Sequence, residues 1–82
     1  MPTILFLHGL CFAIYLDDHR PAHVHVKGAK KEAVFVLHCP DGPPELRETY
    51  GFGRAELKRV ADLVEQHLAE LCAAWSQHHG NQ

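Results

Sequence analysis

The chain has 82 residues, 46% of them apolar and 22% charged, with a net charge of −2. That length accommodates one small core and leaves no room for a second domain, and the composition is too apolar for a disordered chain. A net negative balance does not suit a general nucleic-acid binder.

Taken in chain order, residues 3–8 and 11–16 are runs of β-branched, aromatic and aliphatic side chains separated by Gly9 and Leu10. This pattern predicts two strands joined by a two-residue loop. Residues 23–27 and 31–38 form a second such pair around Gly28, Ala29 and Lys30. Short links favour antiparallel neighbours. Residues 39–44 read Cys-Pro-Asp-Gly-Pro-Pro and must interrupt regular structure. The conformation of residues 39–52 is left open, an edge strand over residues 45–50 being one option. From residue 54 to about residue 77 the period changes: Leu57, Val60, Ala61, Val64, Leu68, Leu71, Cys72 and Trp75 recur at three- and four-residue steps. One long helix follows, entered at Gly53 with Glu56 three residues later and ended near His78, His79 and Gly80. The expected fold is therefore α+β: a small antiparallel sheet of about four strands, followed by one long C-terminal helix packed on one face.

Two mismatches follow. A helix of 24 residues would be about 36 Å long against roughly 20 Å for the strands, so it should overhang the sheet. The strands also carry apolar residues on both faces, for example Ile4 with Leu5 and Val34 with Phe35. One helix covers one face, so the other should form an interface with a second copy or with a small cognate protein.

Cys11, Cys39 and Cys72 are an odd number without a close pair, which predicts reduced thiols. The early apolar run over residues 4–7 is too short for a membrane span and lacks signal-peptide flanks, so a cytoplasmic location and no membrane contact are expected. Charge is uneven. Up to Lys31 there are four basic residues (Arg20, Lys27, Lys30, Lys31) against two acidic ones, whereas the remainder has four basic against eight acidic.

The stretch with the most chemistry is Asp17-Asp18-His19-Arg20-Pro21-Ala22-His23-Val24-His25-Val26. Pro21 restricts the entry, and a strand then places His23 and His25 on one face and Val24 and Val26 on the other. Three uses are open. His19, His23 and His25 are candidate ligands for zinc or another transition metal. His23, His25 and Arg20 are candidates for acid, base and cation in a histidine- or metal-dependent nuclease or phosphoesterase. Asp18, His19, Arg20, His23, His25 and Lys27 could instead order a binding surface, the imidazoles hydrogen-bonding nearby carboxylates and carbonyls. The His-x-His alternation does not fit the histidine-triad hydrolases, because Lys27 stands where a third histidine is needed. Nucleic acid would be met only through an assembled complex.

With Met1-Pro2-Thr3, the run from Asp18 to Val26 and the helical end from Arg54 to Trp75, the chain resembles a small bacterial family known as domain of unknown function 4160. The resemblance spans nearly the whole chain. Ala22 stands where a second proline is common, and Gly53 where serine or proline is common. The resemblance implies a bacterial protein whose relatives are often encoded beside another small protein, in pairs suspected of being toxin–antitoxin-like. It implies no assigned chemistry.

Overall fold

A computed structural model describes residues 3–15 and 19–79. Asp17, Asp18 and Gly80, all named above, lie outside the described residues. Five strands follow one another, β1 (Thr3–Leu7), β2 (Leu10–Ile14), β3 (His23–Gly28), β4 (Lys31–Val36) and β5 (Glu45–Tyr50). They form one antiparallel sheet in sequence order. The fold is α+β, as expected, but residues 45–50 add a fifth strand. That strand carries no apolar alternation, and all six of its residues are exposed. Its pairing with β4 comes from the backbone ladder, so hydropathy alone could not announce it.

The first hairpin turns at His8 and Gly9, one residue earlier than expected. Both have positive φ, 51° and 76°, which matches the right-handed twist of a tight hairpin. A second constrained glycine, Gly51, follows β5 with φ 81°, and a Cβ there would come within 2.5 Å of the Lys30 carbonyl oxygen. Opposite β4, the register of β5 slips by one between Val34 and Phe35, leaving Arg47 as an extra residue.

Alternate strand residues Phe12, Ile14, Val24, Val26, Ala33 and Phe35 join Val60, Leu63, Val64, Leu68, Leu71 and Trp75 in one buried cluster. Both helices therefore cover the same face of the sheet. The expected single helix is two: α1 (Arg54–Gln66) and α2 (Leu68–His79), broken at His67. No proline or glycine marks the break. The longest dimension of the described chain is 33 Å, shorter than the ~36 Å of an unbroken rod. Bending at His67 brings Leu68, Leu71 and Trp75 back over the core. The expected overhang is absorbed this way. At its start, α1 is capped as the sequence indicated, with the Gly53 N–H donating to Glu56 Oε1 (3.3 Å).

Lys31 Nζ also donates to Glu56, pinning the β3–β4 turn to the first turn of α1. These bonds, first from Lys31 and then from Gly53, hold the Glu56 carboxyl below its ordinary range. Among the described residues no helix is long and apolar enough to cross a membrane.

Cys39 and Cys72 form a disulfide, correcting the expectation of three reduced thiols; Cys11 is the free cysteine. Far apart in sequence, the pair meets because α2 returns across the end of β4. A cytoplasmic location, which reduced thiols would have suited, gains no support from these two residues.

Closing a loop with a sequence separation of 33 residues removes roughly 3–4 kcal/mol of chain entropy from the unfolded state in the loop-closure description. The double variant Cys39→Ser with Cys72→Ser should lose about that much in urea unfolding, whereas Cys11→Ser should change stability by under about 1 kcal/mol. The Glu56 contribution has the opposite-sign logic to a base. It is present above the unfolded carboxylate pKa and lost as pH falls through the lowered folded value. In Lys31→Met, a carboxyl NMR titration should find the Glu56 midpoint moved up towards the ordinary value.

Candidate functional site

The approach to β3 is fixed at its edges. Pro21 restricts the backbone, and Leu37 N–H donates to the Ala22 carbonyl (2.9 Å), tying the entry to the end of β4. From there the pleat decides direction. Val24 and Val26 are fully buried in the helix-covered core. His23 and His25 point the other way, with ring centroids 5.1 Å apart.

Both imidazoles are held by Nδ1. His23 Nδ1 donates to the Pro21 carbonyl (2.8 Å), and His25 Nδ1 donates to Glu32 Oε2 (3.1 Å) across the hairpin. A ring that donates through Nδ1 is, when neutral, the Nδ1–H tautomer. A third ring, Tyr15, meets His25 edge-on at 5.1 Å, and Lys27 Nζ donates to the Tyr15 hydroxyl (2.6 Å). That hydrogen bond, first among its causes, holds the Lys27 ammonium above its ordinary pKa. At the other end, the Trp75 ring lies 5.4 Å from His23, and His79 stacks on Trp75 at 3.9 Å. Tyr15, His25, His23, Trp75 and His79 thus form one continuous series of rings from the sheet to the end of α2.

His79 Nδ1 also donates to the Trp75 carbonyl one turn back (3.3 Å). This is the structural role expected of a histidine near a helix C-terminus. Trp75 Nε1 and His79 Nε2 are buried atoms without a hydrogen-bond partner among the described residues.

Of the candidates from the sequence, the structure brings together His23, His25 and, one pleat further along, Lys27. His19 and Arg20 are exposed on the approach. His19, His23 and His25 do not gather as a metal-holding set: no group of three or more His, Cys, Asp or Glu side chains among the described residues is so arranged. His38 and Cys39 are engaged elsewhere, His38 with Glu45 (2.8 Å) and Cys39 in the disulfide.

Three participants escaped sequence reasoning. Glu32 could have been found from the hairpin register, which carries Lys27 opposite Glu32 and His25 opposite Val34 and so brings the carboxylate diagonally to His25. Tyr15 closes the row beyond β2 with no motif to signal it. Trp75 reads correctly as core, and its second role, meeting His23, depends on the bend at His67.

The other residues on this face fall into rows across the strands. One row runs Phe6, Cys11, Lys27, Glu32, Tyr50, and the next includes Ala13, His25, Val34 and Glu48. Ala13 and Val34 are buried yet stand outside the helix-packed cluster. Phe6 and Tyr50, at the two ends of their row, are 74% and 62% exposed.

No curated protein matches the chain, and no solved structure does. Residues 9–76, which include every strand of the histidine face except β1, match the family described as Domain of unknown function (DUF4160). That span is most of the chain, and the protein belongs to this family.

Proposed function

We propose that this protein is a small interaction module that pairs with a second copy of itself through the sheet face that carries the histidines. One observation carries the reading: the row Phe6, Cys11, Lys27, Glu32, Tyr50 ends in two exposed aromatics and has opposite charges at its centre. The adjacent charges Lys27 and Glu32 are self-complementary. A two-fold axis parallel to the strands and midway between β3 and β4 would set Lys27 over the second copy's Glu32 and Cys11 over its Tyr50, with Phe6 one strand spacing beyond that Tyr50 at the sheet border. Two-fold interfaces require this reciprocity, and sheets packed face to face supply it. Aromatic residues are enriched at interfaces.

The family resemblance adds a more specific expectation, a toxin–antitoxin-like pairing with a small protein encoded nearby in a bacterial genome. In that arrangement the neighbour's product would take the place of the second copy on the same row, and any nucleic-acid contact would belong to the assembled complex. Light scattering on the purified chain should give twice the monomer mass at micromolar concentration, and Phe6→Asp, an exposed change, should give the monomer with the fold intact by circular dichroism. A monomer at every concentration removes the self-pairing reading. A monomer that combines with the neighbouring gene product through Phe6 would transfer the surface to that partner.

A second reading, histidine-based or metal-assisted phosphoester cleavage, has one specific observation in its favour. His25 is oriented by Glu32 through Nδ1, as a base is oriented by a carboxylate, while His23 is oriented by a carbonyl. This is also the outer-sphere pattern that prepares an imidazole for a metal. Here His25 would serve as base, His23 as acid or ligand, and Arg20 as the cation for the phosphate. Incubation with RNA, with and without zinc, should show cleavage that falls more than about a hundredfold in His25→Ala and about tenfold in Glu32→Gln. Wild-type protein that neither cleaves RNA nor retains metal by elemental analysis eliminates this reading.

A further inference from the structure

A depression of about 500 Å³ lies beside the start of β3, lined by Arg20, Pro21, Ala22, Val36, His38 and Cys39. Its volume falls in the range of small-molecule sites. Among the described residues the lining is apolar except at two points. Pro21, Ala22, Val36 and the disulfide-bonded Cys39 make the floor and walls, while Arg20 and His38 are the basic groups. His38 already faces the Glu45 carboxylate at 2.8 Å. Arg20 is exposed and has no ion pair among the described residues.

The walls are held independently of any ligand. The Ala22 carbonyl accepts from Leu37 N–H, the Pro21 carbonyl accepts from His23 Nδ1, and Cys39 is bonded to α2. Walls held in place reduce the ordering cost of binding. Guanidinium keeps its charge at any physiological pH and presents a planar fork that matches a carboxylate. Glu45, close behind His38, opposes a second negative charge, so a monoanion fits better than a dianionic phosphate.

We propose that this depression binds a small organic carboxylate, with its head on Arg20 and its apolar body against Ala22, Val36 and the disulfide. None of these residues belongs to the row from Phe6 to Tyr50, so the site stands or falls separately from self-pairing.

The test is an amide NMR titration of the full, oxidised chain with benzoate as probe, alongside benzyl alcohol, which lacks the charge, and inorganic phosphate, which lacks the apolar body. The expected result is saturable, millimolar benzoate binding with shifts clustered at Ala22, Val36 and Cys39. Both comparison compounds should bind at least about tenfold more weakly. Arg20→Gln, a change at an exposed side chain, should weaken benzoate by about tenfold with the rest of the spectrum unmoved. Shifts scattered over the surface or centred on Phe6 and Tyr50, phosphate binding as tight as benzoate, or undiminished affinity in Arg20→Gln would each overturn the assignment.

Discussion

The two-residue alternation of β3 is the constraint on which the rest of the molecule depends. Val24 and Val26 must be out of water for α1 and α2 to have anything to cover, and once they are, the pleat leaves His23 and His25 no choice of side. A slip of one residue would place two imidazoles in the hydrocarbon core and two valines beside Tyr15 and Glu32. The same strand therefore specifies both the packing and the chemistry. Its pairing with β4 enforces the register: Ala22 is tied to Leu37 at the entry, and six consecutive pairs join β3 to β4 beyond it.

Much of this was legible in the sequence, for physical reasons that differ from element to element. Runs of β-branched, aromatic and aliphatic residues bounded by turn residues identify β1 to β4, because burial selects such side chains. Period 3.6 identifies the helical region for the same reason. β5 was not legible. All its side chains face water, and it owes its conformation to hydrogen bonds offered by the edge of β4. The break at His67 was also hidden, since nothing local demands it. It arises from the limited size of the core and from the return of α2 towards Cys39.

The histidine face was legible as a direction and illegible as a neighbourhood. That His23 and His25 share a side follows from their spacing. Their partners do not: Glu32 depends on the hairpin register, Tyr15 on the course of β2, and Trp75 on the bend between the helices. The disulfide was missed because cysteine arithmetic weighs number and spacing, whereas these two sulfurs meet through tertiary return of the chain. Odd counts say only that at least one thiol is left over, and here that thiol is Cys11.

The extra residue at Arg47 has a consequence for how many molecules can come together. A regular outermost strand with every side chain in water invites another strand to add along its rim, and then another, without end. Doubling one position interrupts the even spacing of amide groups that such growth requires and puts a charge at the interruption. Addition of a further strand along this border is thereby disfavoured, whatever the broad side of the sheet meets.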